Sequence, residues 1–350
     1  MRTSRAARPG EPTLGDGRRT ANTEGSVAGM RRTHGNIHVL DELDRRLIEI
    51  LRDDPRLSNR AMAEAVGVTD ETVAARLRRM LDTGAMAMTA IVDWAAAGYG
   101  ARAVARARFD GVPTSDAVKP LFEIDGVHAV SETSGCADAV IYLLGTDVEQ
   151  LRQLVADHVR PLSGLSDLVV DVVTDTPKHS VGISTLPMQR WSPASLPAPV
   201  VALDELDARI LEEVAVDGHE SNREVARRLQ VSDSTVRARL QRMESAGLIR
   251  VLAMVDPVTT GDIAGVGIVF LTLDGSSEVV LDRLVDDPTV AIVERCIGAA
   301  DITIILNAPT ADELHARVSH ELRLMPGVRR VDLAVVVEVL MHRAHLARLV

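Results

Sequence analysis

The sequence predicts an α+β protein built twice over: a helix-turn-helix unit of winged type followed by a ferredoxin-like βαββαβ unit, then the same pair again. Three observations carry this. Residues 40–86 lie without a gap on residues 203–249 at a constant offset of 163, with 22 of 47 positions identical. Each stretch contains three apolar-periodic helical runs separated by capping and breaking residues. Each is followed by about a hundred residues in which short apolar strands and helices alternate as β-α-β-β-α-β. A repeat this long is a copied domain pair, not a solenoid unit.

Composition agrees. A chain of 350 residues with 46% hydrophobic side chains can bury several cores, and an aromatic content of 2% makes those cores aliphatic. No apolar run is long enough to span a bilayer and no secretory leader stands out, so a cytoplasmic protein with no membrane partner is expected. Residues 1–39, rich in Arg, Gly, Thr and Ser, read as a disordered basic tail, with Met30 as an alternative start. The net charge of −11 opposes binding to phosphate overall, but the charge of one face decides. Acidic residues crowd the start of each repeat (Asp41, Glu42, Asp44; Asp204, Glu205, Asp207), where they suit a helix N-terminus; the arginines crowd elsewhere. Cys136 and Cys296 stand at different places in the two copies and read as reduced structural thiols.

In residues 40–92, Leu43, Leu47, Ile50 and Leu51 form the apolar stripe of a first helix. Ser58 is placed to cap a short second helix that Gly67 breaks. Thr69 caps a third, in which Val73, Leu77 and Met80 face inward, and Gly84 ends it. Residues 203–256 repeat the pattern with Leu206, Ile210, Leu211 and Val214, then Val236, Leu240 and Met243. Residues 86–92 and 249–255 read as a strand, the start of a wing or a linker.

Residues 93–174 and 257–345 hold the βαββαβ units. Strands are expected near 103–109, 127–133, 139–144 and 165–173, with helices at 115–124 and 148–158. The second copy places strands near 267–273, 290–296, 302–306 and 328–339, with helices at 277–285 and 311–324. Alternation along these strands is imperfect, and runs such as VVDVV and LAVVVEV read as buried sheet. Residues 175–202, with Pro177, Pro187, Pro193, Pro197 and Pro199, read as an extended linker.

The third helix of each triplet carries the functional signal. A helix laid in the major groove needs small polar and apolar residues near its N-terminus and arginines further along to hold phosphates. Copy one offers Thr72, Arg76 and Arg79; copy two offers Ser234, Thr235, Arg237, Arg239 and Arg242. Arg60 and Arg223 open the preceding helix, a common place for a phosphate contact. An amphipathic helix with a solvated arginine face is the plain alternative, but the same caps, turn and arginine spacing recur in both copies. Double-stranded DNA is therefore the expected partner.

The run LDxLDxxIL…SNxxxAxxxxVSxxTVxxRLxRMxxxGLI, followed by a βαββαβ unit, resembles the Lrp/AsnC family of transcription regulators, here over residues 40–178 and 203–342. The resemblance implies a βαββαβ sensor domain that pairs its sheet across a dimer and binds an amino acid or similar small effector near a turn. That turn reads GCAD in copy one (Gly135 to Asp138) and GAAD in copy two (Gly298 to Asp301). The glycines permit close approach of a ligand or simply make a tight turn. Asp138 and Asp301 receive an effector's amino group or cap the turn. Most members of the family carry one unit per chain, so self-association through the sensor domains is expected within this chain or between chains. No cofactor or metal is called for. The same architecture also resembles sirohaem decarboxylases, an enzyme alternative that needs histidines poised at the substrate. His128, His158, His315 and His320 are scattered, do not recur at the offset of 163 and fall mostly on predicted helices, which argues against it.

Overall fold

The computed structural model describes residues 39–349 apart from 56, 182–195, 217, 219 and 258. The basic tail (save residue 39), Met30 and the middle of the proline-rich linker lie outside the described residues. The first copy runs α1 (Glu42–Asp53), α2 (Asn59–Val66), α3 (Asp70–Asp82), β1 (Met86–Asp93), β2 (Ala101–Phe109), α4 (Thr114–Ala117), β3 (Val127–Gly135), β4 (Ala139–Gly145), α5 (Val148–Leu154) and β5 (Leu165–His179). The second runs α6 (Glu205–Val216), α7 (Asn222–Leu229), α8 (Asp233–Ser245), β6 (Ile249–Val255), β7 (Gly265–Leu273), α9 (Glu278–Asp286), β8 (Val290–Ile297), β9 (Ile302–Ala308), α10 (Ala311–His320) and β10 (Val328–His342), closing with β11 (Leu346–Ala347).

The helical units form where their caps place them. Asp41 and Asp44 make a reciprocal capping box at the start of α1. Ser58, Thr69, Ser221 and Ser232 cap α2, α3, α7 and α8 through their hydroxyls. Gly67 closes α2 at φ +76, and Gln230 holds the same left-handed position after α7 at φ +58. Only glycine adopts that conformation without steric cost, so Gln230→Gly is expected to stabilise the chain by roughly 0.5–1 kcal/mol. A raised thermal midpoint checks this; an unchanged or lowered one refutes it.

The strands expected over 86–92 and 249–255 form, and each finds its partner in the other copy. β1 and β6 pair antiparallel with each other, from Met86 opposite Val255 to Val92 opposite Ile249, and β11 joins β1 in parallel. Each strand completes the core of the other copy's helices. Ala253 and Val255 of β6 pack with Leu47, Leu51, Val73 and Met80 of copy one. Ala90 and Val92 of β1 pack with Ile210, Val225, Val236 and Met243 of copy two. The two heads therefore sit on one three-stranded sheet.

The βαββαβ sheets run β3-β4-β2-β5 and β8-β9-β7-β10, and pairs β5·β8 and β10·β3 close them into an eight-stranded barrel. The βαββαβ units thus pair within the chain, and among the described residues no edge strand of either sheet is left open. Each sheet packs its outer face on its own helices, through Leu121 and Leu151 in one copy and Leu281 and Leu314 in the other. The inner faces meet at Val104, Tyr142, Ile268, Phe270 and Val336. Strands covered on both sides lose polar–apolar alternation, which explains the weak pattern; all of β4 is buried. β5 and β10 are each 15 residues long and outrun the expected strands, because their ends pair with the other copy. The first sensor unit accordingly extends past residue 174 to His179, with a register shift where Pro177 lacks a donor.

Candidate nucleic-acid interface and effector turns

The acidic and basic clusters of each repeat, separate in sequence, meet in space. Arg76 of α3 pairs with Asp41 and, at 3.2 Å, with Asp44; Arg79 reaches Asp44 at 2.7 Å. In copy two, Arg239 reaches Asp204 at 2.6 Å and Asp207 at 2.9 Å, and Arg242 reaches Asp207 at 2.5 Å. Asp44 and Asp207 are buried, so each serves as an anchor that fixes the third helix against the first. The Arg239 guanidinium holds the Asp204 carboxyl down at about 2; hydrogen bonds from the Asp44 N–H and Arg76 lower that of Asp41. These arginines position the recognition helix before they meet any phosphate. The sequence placed them on the wet face; it did not reveal their partners 32–35 residues upstream.

The remaining DNA candidates stay on the surface. Arg60 is exposed and pairs with Glu64 at 3.1 Å along α2; Arg223 is exposed at the same place in α7. The Thr72 hydroxyl lies 3.1 Å from that of Thr69, and those of Ser234 and Thr235 lie 2.8 and 2.7 Å from that of Ser232. Arg237, its side chain 65% exposed, pairs with Asp233 at 2.9 Å. Copy one has Ala74 at that position and Glu71 where copy two has Ser234.

The two candidate effector turns lie on the seam between the copies and are not equivalent. A Cβ on Gly135, at φ +114, would run into the Leu333 carbonyl oxygen of β10, and one on Gly298 would run into the Asp171 carboxylate of β5. Asp171 fills turn two: it accepts from the N–H groups of Ala299 at 2.6 Å and Ala300 at 3.0 Å, while Arg106 holds its other oxygen at 2.9 Å. The position matching Asp171 in copy two is Ala334, so turn one receives no such carboxylate. Asp138 accepts from the Phe109 N–H at 2.9 Å and Asp301 from the Leu273 N–H at 2.7 Å, so both tie their turn to the neighbouring strand.

His128 lies on β3, within the strand expected over 127–133, and it is not isolated: it gathers with His179 and His342 around a pocket of about 170 Å³ at one end of the barrel. Trp94 meets His128 and His179 edge-on at 5.9 and 4.9 Å, and the Arg102 guanidinium stacks on the Trp94 ring at 3.8 Å. His179 and His342 do recur at the offset of 163, the signal that could have found them. Among the described residues no cluster of His, Cys, Asp or Glu is arranged to hold a metal ion, and no helix is long and apolar enough to cross a membrane.

Residues 40–81 match the AsnC-type helix-turn-helix domain, and residues 203–250 match a winged helix-turn-helix DNA-binding family. An uncharacterised HTH-type transcriptional regulator of Pyrococcus horikoshii is 31% identical over 144 residues, spanning 40% of this chain and 89% of its own. The HTH-type transcriptional regulator FL11 of Pyrococcus horikoshii is 26% identical over 142 residues, 40% of this chain and 93% of its own. Among solved structures, the siroheme decarboxylase NirDL covers 86% of this chain and 92% of its own at TM-score 0.59 and 14% identity, a likeness of fold across both copies.

Proposed function

Because the chain belongs to the Lrp/AsnC family of transcription regulators, in a tandem-duplicated form, we propose that it reads an asymmetric operator with two unequal heads whose grip a small effector adjusts. The observation that carries this reading is the pair of helix-turn-helix units held on one sheet of one chain, with different side chains on their groove-facing sides. Identical heads mirror a palindrome; unequal heads do not. Arg60, Thr72, Arg76 and Arg79 form one contact set, and Arg223, Ser234, Thr235, Arg237, Arg239 and Arg242 the other. Head two, with Arg237 in place of Ala74 and Ser234 in place of Glu71 near the start of its helix, supplies most of the affinity, and head one refines the choice of site.

Arg237 and Ala74 lie outside the ion pairs that fix the helices, so they test the ranking without dismantling a head. On DNA recovered by genome-wide mapping of bound sites, Arg237→Ala is expected to weaken binding several-fold and lower the salt slope by about one. Ala74→Arg is expected to strengthen binding. A gel-shift titration with the opposite order would overturn the dominance of head two.

An effector of amino-acid type is supported by family membership. Turn one, with Gly135 and Asp138, is the turn we assign to it, since Asp171 occupies turn two beside Gly298 and Asp301. The enzyme alternative draws on the shared two-copy fold and on the buried histidines. Against it, a pocket of about 170 Å³ is small beside the roughly 300–1,000 Å³ of sites that take drug-sized ligands, and a tetrapyrrole is no smaller than those. A regulator without catalysis or cofactor is the reading supported. Added sirohaem is expected to show no absorbance change.

A further inference from the structure

The histidine pocket sits where the barrel meets the sheet that carries both heads. The sheet contributes Ile91 of β1, Met254 of β6, and Leu346 and Ala347 of β11. The barrel contributes positions that correspond between the copies: His128 with Ala291, Tyr142 with Ile305, and His179 with His342, each pair separated by 163. The two copies therefore line the pocket from opposite sides, but not with the same chemistry. His128 and Tyr142 are polar where their counterparts Ala291 and Ile305 are apolar.

We propose that this pocket binds a net-neutral small molecule with an apolar body and one hydrogen-bond donor, and that occupancy is passed to the DNA-reading heads through the β11-β1-β6 sheet. The second half rests on the regulator reading above; the first half does not.

Three observations define the ligand. The first is an unmet acceptor. His128 Nε2 lies 3.0 Å from the Leu346 carbonyl oxygen, which only accepts, so Nε2 carries the proton. Nδ1 of the neutral ring is then an acceptor, and it is buried without a hydrogen-bond partner, as are the Tyr142 hydroxyl and Nδ1 of His179. Burial pushes the His128 imidazole well below its usual range, which keeps it in this form. A buried unsatisfied acceptor is costly, and a ligand N–H or O–H would meet it.

The second observation is the charge balance. Among the described residues the one fixed cation at the pocket, Arg102, is paired with the buried Glu294 of β8. His179 and His342 are held down by burial, to about 3 and about 4. A ligand with net charge would be buried here without a counter-charge, and a zwitterion would have to break the Arg102–Glu294 pair. The third is size. At about 170 Å³ the space is close to the ~150 Å³ cavity that accepts benzene, which sets the ligand on the order of ten non-hydrogen atoms. The class is thus a small aromatic or aliphatic compound of indole type, unlike the amino acid assigned to the turn.

Indole, indene and L-leucine test this on the full chain by titration calorimetry. Indole is expected to saturate one site per chain. Indene, the same shape without the N–H, is expected to bind about tenfold more weakly, because it leaves the acceptor unmet. Leucine is expected not to compete. His128→Leu is expected to erase the preference for indole over indene. Should that variant fail to fold, the nitrogen NMR resonance of His128 Nδ1 in the unaltered chain is expected to move with indole and not with indene. Equal affinity for indole and indene, absence of indole binding, or displacement of indole by leucine would each overturn the site. DNA affinity is expected to change several-fold under saturating indole; an unchanged affinity overturns the coupling. If the chain binds no DNA, the regulator reading falls while calorimetry still decides the pocket.

Discussion

Replacing Asp171 with alanine is expected to destabilise the barrel by about 3–5 kcal/mol, the range for removing one partner of a buried ion pair. Asp171 is fully buried and serves three groups at once: the Arg106 guanidinium and the N–H groups of Ala299 and Ala300. Without it, Arg106 stays buried over the Phe270 ring with only Asp332 at 3.8 Å, and two backbone donors lose their acceptor. Because those donors belong to copy two, the loss falls on the seam that joins the copies. Asp171→Asn keeps an acceptor for the turn but removes the charge, so it is expected to fall between the original and alanine. Denaturant titration reads both; a loss under about 1 kcal/mol for the alanine variant would show that the seam does not depend on this carboxylate.

Acid is expected to unfold the chain well above the carboxylate range. Burial lowers His179 and His345 to about 3, His342 to about 4, and His128 well below its usual value. An unfolded histidine takes a proton near pH 6.5. The folded chain refuses it until about pH 3–4, so between these limits the unfolded state binds more protons and stability falls as pH falls. The stabilisation is complete above pH 6.5 and declines by up to ~1.4 kcal/mol per pH unit for each histidine. Four such groups, against a total stability of roughly 5–15 kcal/mol for a typical domain, place acid unfolding between about pH 6 and 4. Circular dichroism against pH measures it. His179→Phe is expected to move the midpoint to lower pH, and a chain that stays folded at pH 4 would contradict the account.

The helices of both heads were legible because their signals are local. Ser58, Thr69, Ser221 and Ser232 stand where they cap, and Leu77 and Leu240 mark the inward faces. The order of strands was legible for the same reason. What escaped depends on which segments meet. Nothing near Asp44 names Arg76 and Arg79 as its partners, and nothing in β1 says that its mate is β6 rather than a hairpin strand of its own. The end of β5 looked like linker because its pairing lies in the other copy. The candidate site divides in the same way. The solvent-facing residues of α3 and α8 follow from helical spacing, whereas Asp171 in turn two and the histidine pocket follow from barrel closure.

Fusing the two units has an evolutionary consequence. In an assembly of identical subunits every substitution arises on both sides of the twofold axis, so a residue that suits one side must be tolerated on the other. A covalent pair escapes that rule. Asp171 could arise opposite Ala334, and His128 opposite Ala291, without either change being imposed on its counterpart. Yet the sharing of β1 and β6 between both helical cores keeps the halves mutually dependent. The chain is free to specialise its halves and not free to separate them.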